Sequence, residues 1–461
     1  MKLTASRLPQ AQCGNVLIMT LVFFGLVALT TAGYLSLAKS RALIRARSVA
    51  WNSAIPILEA GIEEGFTHLQ DDSNALTANG WAAGTVGGQP VVTKSRTFPD
   101  GSYFSVALYT ALKNSPLIYS SGFVPAPLGP GYISRTVRVV VTNQATFANA
   151  IQAKSTLTLS GSSVVDSFDS SNTNGSTGGL YDPAKRTANA NVVTDSQAKP
   201  AVTLGNSAHI YGQLDTGPGG TVITSGTATV GDLVWSASHT GIESGYTNDN
   251  TNIAFSDVAL PSVFSSSTSF PGPVSGKVNG TNYTYVLAGS SYSLTTLTLS
   301  GAQAMLVNGN AVLSVSGDIH LRRSSYIYLA PGASLQLYGG AGISISGSSY
   351  IYIAPGASLQ LYGGGASTTI SGVGVINATG NAANFSYYGL TNNTTLSYSG
   401  SSAFIGTVYA PEASFTLSGA GGMYGAAVVY SYTPSDSSSF HYDQALSGSA
   451  GHTAHFSYTE L

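Results

Sequence analysis

The chain has 461 residues, a formal net charge of −2 and only 8% charged residues, beside 54 glycines and 26 tyrosines. This balance argues against nucleic acid as a partner, and the length allows two or three domains. Cys13 is the only cysteine, which excludes an intramolecular disulfide and a thiolate metal cluster. An uncharged, turn-rich composition of this kind is typical of extracellular β-architecture.

The first element is an apolar run at residues 15–38, which follows a short leader carrying Lys2 and Arg7. About 20 apolar residues cross a bilayer as a helix, and this run is too long for the apolar core of a secretory signal. The helical pattern continues to about residue 70, and Pro56 is expected to kink the helix or to start a new one. Basic residues return directly after the run: Lys39, Arg41, Arg45 and Arg47.

Gly14, followed directly by this run, resembles the prepilin junction of type IV pilins and type II secretion pseudopilins, and the segment ILEAGIEEGFTHL resembles the helix end of PilX-like minor pilins. The resemblance implies that a prepilin peptidase removes residues 1–14 and leaves Asn15 as the first residue. The helix of residues 15–70 would then lie in the inner membrane and later pack against other pilin or pseudopilin subunits in a surface filament. Met19 occupies a position where most pilins carry Glu, which favours a minor subunit.

Two simpler interpretations of the same apolar run remain open. A plain signal anchor has the same hydropathy and requires no filament. A conventional signal peptide would be cleaved near Thr31 and Ala32, although no good A-x-A site is present there.

Residues 71–152 are predicted to form a small pilin-like β domain. Strand patterns with alternation and β-branched residues occur at 103–110, 115–124 and 132–143, separated by turns that contain Gly or Pro. A small sheet packed on the long helix is therefore expected.

Residues 153–461 are predicted to form a β-solenoid head, because short apolar alternations recur between Gly turns. The segment SSYIYLAPGASLQLYGG at 324–340 recurs almost unchanged at 348–364, and near-identity at a fixed offset is typical of solenoids. Strand alternation directs four side chains of the first repeat inward: Ile327, Leu329, Leu335 and Leu337. The expected fold class is mainly β, with one long N-terminal helix and a parallel β-helix.

The same alternation directs tyrosines outward, and residues one coil apart are expected to stack about 4.8 Å apart. The expected stacked pairs are Tyr326 with Tyr350, Tyr328 with Tyr352, Tyr338 with Tyr362, and Gln336 with Gln360. These tyrosines are candidate contacts for a glycan or host surface. The alternative is that stacked rings only stabilise neighbouring strands.

Residues 401–429 and 437–446 resemble a domain of unknown function that is commonly joined to PilX-like N-termini. The marks of that resemblance are Gly406, Tyr409, Ala410, Pro411, Ala413, Gly419, His441, Tyr442 and Asp443. His441, Tyr442 and Asp443 are predicted to belong to a terminal cap, at about 437–461, that protects the last solenoid edge.

No catalytic residue, cofactor or metal ligand is predicted, so assembly and display are favoured over catalysis. One alternative is a membrane-anchored adhesin that binds glycans outside any pilus. Another is a polysaccharide-acting β-helix enzyme, in which acids would converge in a groove with Lys185 or Arg186: Asp166, Asp169, Asp195, Asp215 and Asp232. A Ca²⁺ loop at 166–175 or 247–252 also remains open, although neither segment matches an EF-hand loop.

Overall fold

A computed structural model describes residues 13–71, 77, 79–86, 89–109, 117–127, 129–144, 146–253, 255–265, 271–419, 421–435, 438–448 and 453–460. The chain divides into two compact units, Met1–Thr142 with His455–Leu461, and Asn143–Ala454. The predicted fold class is confirmed, because one long helix is followed by β-sheets that are extensively parallel. Leader residues 1–12 lie outside the described residues.

The first unit begins with α1 (Cys13–Asp71), one continuous helix that passes through Pro56. The expectation of a new helix at Pro56 is therefore wrong. Pro56 lies on the exposed side of the helix and has no N–H to donate to the carbonyl oxygen one turn earlier. Water can donate to that carbonyl oxygen instead. Buried residues recur every four positions along the opposite side and form its packing face: Ala50, Ala54, Leu58 and Ile62.

The sheet of this unit contains β1 (Ala82–Val86), β2 (Gln89–Thr97), β3 (Tyr103–Tyr109), β4 (Leu117–Pro125) and β5 (Tyr132–Gln144), each antiparallel to the next. The three predicted strands agree with β3, β4 and β5 to within about two residues. The C-terminal strand Thr453–Glu460 follows β5 in the order of this sheet. From His455 onward that strand therefore belongs to the first unit, and the predicted terminal cap at 437–461 is wrong.

Close approach between α1 and β4 depends on small residues. Ser120 donates a hydrogen bond of 2.7 Å from its hydroxyl to the carbonyl oxygen of Leu58. A Cβ at Gly122 would lie 2.5 Å from the carbonyl oxygen of Ala54 and 2.7 Å from the amide nitrogen of Leu58. A Cβ at Gly61 would meet the Ser120 hydroxyl oxygen. Larger side chains at these glycines would separate the helix from the sheet.

The second unit starts with β6 (Ile151–Ala153), β7 (Leu157–Leu159), β8 (Val164–Phe168), β9 (Val192–Thr194), β10 (Val202–Leu204), β11 (His209–Tyr211), β12 (Leu214–Asp215), β13 (Val222–Thr224), β14 (Thr229–Gly231), α2 (Leu233–Ser236), β15 (Gly241–Ile242), β16 (Thr247–Asn248) and α3 (Ser262–Ser265). A short 3₁₀ helix, Pro183–Lys185, lies between β8 and β9.

It continues with β17 (Val274–Val278), β18 (Thr281–Leu287), β19 (Ser291–Leu294), β20 (Leu297–Gly301), β21 (Ala304–Val307), β22 (Asn310–Val315), β23 (Ile319–Arg323), β24 (Tyr326–Leu329), β25 (Ser334–Gly339), β26 (Ile343–Ile345), β27 (Tyr350–Ile353), β28 (Ser358–Gly363), β29 (Ser367–Ile370), β30 (Gly374–Asn377), β31 (Phe385–Gly389), β32 (Thr395–Tyr398), β33 (Phe404–Leu417), β34 (Met423–Pro434) and β35 (Ser439–Asp443). Two further 3₁₀ helices are Ala382–Asn384 and Gln444–Gly448.

These strands form a β-solenoid in which strands pair in parallel with the strand one coil away, apart from β17, which is antiparallel to β18. For example, β22, β25 and β28 form one face, β23, β26 and β29 a second, and β24, β27 and β30 a third. Inward-directed side chains of each coil form one continuous apolar core. Ile327, Leu329, Leu335 and Leu337 are all buried, which confirms the predicted alternation.

The order of the coils in space differs from their order in the chain. Strand β34 pairs in parallel with β6 through Ala427 opposite Ile151, and β35 pairs with β8 through His441 opposite Asp166. The C-terminal coil of the solenoid is therefore followed in space by the first coil of the unit. We call this junction of β34 and β35 with β6, β7 and β8 the seam. His441, Tyr442 and Asp443 lie at the seam, inside the solenoid, so their prediction as a terminal cap is wrong.

Between β16, at one end of this rearranged solenoid, and β17, at the other, the structure describes residues 249–253, 255–265 and 271–273. Along this segment, Phe255 packs near Lys154 of the first coil, Phe264 packs against Tyr338, and Pro271 accepts a hydrogen bond of 3.1 Å from the Ser293 amide. These described residues thus lie across successive coils, and we call them the strap.

Candidate functional site

Two short rows of tyrosines lie on the outer surface of the third face. Tyr326 is opposite Tyr350 in the strand register and Tyr328 is opposite Tyr352, as the repeat predicts. The ring centroids are 5.3 Å and 5.5 Å apart, with interplanar angles of 6° and 15°. Parallel rings at this separation have an offset-stacked geometry, so each ring stabilises its neighbour. All four side chains are half-buried, which leaves part of each ring at the surface.

A longer tyrosine row follows the first face. Tyr338, Tyr362, Tyr388 and Tyr409 are opposite one another in successive strands. Only the first two could be predicted, because the offset of 24 residues that relates them is not kept in the following coils. Tyr362 stacks with Tyr388 at a centroid distance of 4.9 Å.

The strap covers this longer row. Phe264 lies 5.6 Å from the ring centroids of both Tyr338 and Tyr362, and the Tyr409 hydroxyl donates a hydrogen bond of 2.8 Å to the carbonyl oxygen of Ser256. Tyr362 is only 6% exposed, and its burial raises the pKa of its hydroxyl to about 12. The prediction of Tyr362 as a surface contact is therefore wrong, because its own chain occupies that position.

A polar cluster spans the seam. The Asp166 carboxylate is fully buried and lies 2.5 Å from Nδ1 of His441. It also accepts a hydrogen bond of 2.7 Å from the Tyr181 hydroxyl, while the Arg186 guanidinium lies 3.9 Å away. Burial is the largest cause that raises the pKa of Tyr181, and the neighbouring Asp166 carboxylate is the next. The Tyr181 hydroxyl therefore keeps its proton and acts as a donor.

Residues 169–189 fold over this cluster and connect both sides of the seam. The Tyr181 ring centroid is 3.8 Å from that of His441. Asp443 accepts a hydrogen bond of 3.0 Å from the Ser170 amide, and Gln444 donates one of 2.6 Å to the Thr187 hydroxyl. We call this loop the latch. An aspartate-oriented imidazole has the form of a general base, but here the latch covers it, and the His441 side chain is about 10% exposed.

Four of the five acids that a polysaccharide-acting enzyme would bring together accept hydrogen bonds from backbone amides. Asp169 accepts from the Ser171 amide and Asp195 from the Ile253 amide, and neither bond involves the seam. Asp215 likewise accepts from the Asn248 amide, and Asp232 caps α2 through the Trp235 amide. Arg186 lies near Asp166, but the other predicted acids are engaged in separate turns.

The side chain of Lys185 reaches the candidate Ca²⁺ loop at 166–175. The Lys185 ammonium donates to the carbonyl oxygens of Thr173 and Ser176 at 2.8 Å and 2.7 Å. A divalent cation at these oxygens would be repelled by the ammonium. Among the residues that the structure describes, no group of three or more His, Cys, Asp and Glu is placed to hold a metal.

The predicted prepilin junction lies at the start of α1, where Cys13, Gly14 and Asn15 form the first turn. From Val16 onward the apolar residues are exposed, and by length and composition this part of the helix is able to cross a membrane. Near the N-terminus, a signal sequence also meets that criterion.

Comparison with known proteins gives one family match, to a "Domain of unknown function (DUF7305)" over residues 271–449. This range includes residues 401–429 and 437–446, on which the sequence resemblance depends. It ends shortly after β35, the last strand of the seam. No curated protein matches the chain. Among solved structures, the competence-associated pilin ComZ from Thermus thermophilus is similar at 10% identity, with 89% of this chain and 97% of that chain covered. The TM-score is 0.24, so this similarity does not define the fold.

Proposed function

We propose that this chain is a pilin-like minor subunit that is anchored in the inner membrane by α1 and displays its solenoid at the cell surface. The observation that carries the proposal is the division of α1 into two parts. Residues 16–38 are apolar and exposed, whereas Ala54, Leu58 and Ile62 pack against the sheet. An exposed apolar helix of this length requires lipid or other apolar helices around it.

In this proposal a prepilin peptidase cleaves between Gly14 and Asn15, and the helix remains on the mature chain. The apolar part of α1 first lies in the membrane and then packs against the helices of other pilin or pseudopilin subunits. Met19 in place of an acid favours a minor position in the filament. The mechanism is assembly and display, and the separate hydrogen bonds of the candidate acids support a role without catalysis.

The thiol of Cys13 gives a direct test of processing, because it is the only cysteine and precedes the cleavage position. The protein is isolated from cells with an active prepilin peptidase, denatured and treated with a maleimide reagent. We expect no label on the mature protein, and full labelling of the Gly14→Val variant, in which the leader is retained. Labelling of the wild-type protein would contradict cleavage and favour the anchored adhesin outside any pilus.

A second candidate function is glycan contact through the third face. It is favoured by the partly exposed rows of Tyr326, Tyr328, Tyr350 and Tyr352 and by the absence of Lys and Arg after Arg323. Aromatic side chains combine a large apolar surface with a hydroxyl, and a neutral ligand would meet no opposing charge there. Tyr328→Ser with Tyr352→Ser should abolish glycan-array binding, whereas Tyr362→Phe should preserve it. Equal binding by both variants would contradict this role.

A further inference from the structure

Four cations lie close together on α1, directly after its apolar part. Lys39, Arg41, Arg45 and Arg47 are all exposed, and we call them the basic collar. From Cys13 to Leu58 the helix contains no acidic residue, so the collar has no opposite charge within its own stretch of helix.

The collar lies about one bilayer thickness from the start of the apolar part. Val16–Ala38 rises about 35 Å at 1.5 Å per residue, compared with about 30 Å for the hydrocarbon core of a bilayer. When this part of α1 crosses the membrane, as the proposed function requires, the collar lies at the level of the lipid headgroups on the side where the helix emerges. This position of the collar therefore depends on that proposed function.

The cations surround the helix axis and do not form one face. At about 100° per residue, Arg45, Lys39 and Arg47 lie about 40°, 160° and 240° around the axis from Arg41. A single protein partner would meet only one side of such a ring. Lipid headgroups surround a membrane-spanning helix on all sides, and their phosphates match the bidentate donors of arginine.

We propose that the basic collar binds the phosphate groups of anionic phospholipids and thereby sets the depth of α1 in the membrane. Each headgroup meets about one cation at a time. We therefore expect an anionic lipid to be preferred over a zwitterionic lipid by about fivefold, the ratio that corresponds to about 1 kcal/mol per cation near a membrane surface.

The test uses the full-length protein in phosphatidylcholine vesicles that contain spin-labelled phosphatidylglycerol or spin-labelled phosphatidylcholine. The fraction of motionally restricted lipid, measured by electron paramagnetic resonance, gives the relative association constant of the two lipids. We expect the preference to decrease with salt and to fall towards one in a variant with Lys39→Gln, Arg41→Gln, Arg45→Gln and Arg47→Gln. Glutamine preserves helix propensity, so the helix should be retained.

A matched control removes four exposed cations of the second unit, by Lys199→Gln, Lys277→Gln, Arg322→Gln and Arg323→Gln. This variant has the same net charge as the collar variant and should keep the full lipid preference. An equal loss of preference in both variants would assign the effect to net charge and overturn the collar as a binding site.

Flotation of the vesicles at high salt separates this inference from the proposed function. If the protein floats with the vesicles but shows no lipid preference, the collar proposal is overturned and membrane anchoring stands. If it does not float, both fail. A third outcome is that lipid preference is absent and the collar variant loses self-association instead. The cations would then bind acids of a second copy, and the nearest exposed acids on α1 are Glu59 and Glu63. That result would also overturn the lipid proposal.

Discussion

Removal of the Asp166 carboxylate is expected to open the seam. This carboxylate is fully buried and accepts hydrogen bonds from both His441 and Tyr181. Hydrogen bonds to a charged group contribute about 1.5–3 kcal/mol each, so the two bonds together contribute about 3 kcal/mol or more. We therefore expect Asp166→Ala to lower the free energy of seam opening by about 3 kcal/mol or more.

Hydrogen exchange measured by mass spectrometry on the full-length protein in detergent reports this opening locally. At about 1.4 kcal/mol per factor of ten, amides of β8 and β35 should exchange at least about 100-fold faster in Asp166→Ala. The repeat at 324–364 should be little affected, because solenoid coils interact mainly with their nearest neighbours. Asp257→Asn, at an exposed carboxylate, is the control and should change neither region. Unchanged exchange of β8 and β35 in Asp166→Ala would refute the claim that this carboxylate holds the seam closed.

Three further predictions concern other parts of the fold. Gly122→Ala should destabilise the first unit by about 1–3 kcal/mol in thermal unfolding, because the added Cβ meets the backbone of α1. Gly84→Ala should not, because its Cβ would make only an ordinary contact of 3.9 Å with the Val91 side chain. Equal effects would contradict the packing. Phe264→Ala should make Tyr362 reactive to N-acetylimidazole, and continued protection would show that the strap does not cover it. Burial is the largest cause that lowers the pKa of His209, and the Arg186 charge is the next. The unfolded chain therefore binds a proton at His209 more tightly than the folded chain does. Stability should therefore fall as pH drops below about 6.5, and a curve unchanged by His209→Gln would contradict this origin.

Local features of the fold were predictable because they depend on neighbours in the sequence. The alternation of Ile327 and Leu329 with Tyr326 and Tyr328 indicates which side chains are buried, and the near-identical repeat gives the register with the next coil. The apolar part of α1 was predictable from composition alone.

Long-range features were not predictable, because the residues involved carry no local signal of their partner. Nothing in the pattern around Ile151 indicates that Ala427 lies opposite, and this pairing places His441 inside the solenoid. The strap likewise depends on tertiary contacts, so the covering of Tyr362 by Phe264 could not be read from alternation.

The mass of the mature N-terminus, measured on protein purified from its own host, tests the central proposal most directly. A chain that begins at an N-methylated Asn15 is the result that the pilin-like assignment predicts, because cleavage after Gly14 would leave the apolar helix on the mature protein. A chain that retains Met1, or that begins near Gly33, would contradict prepilin processing and remove the basis for assembly into a filament.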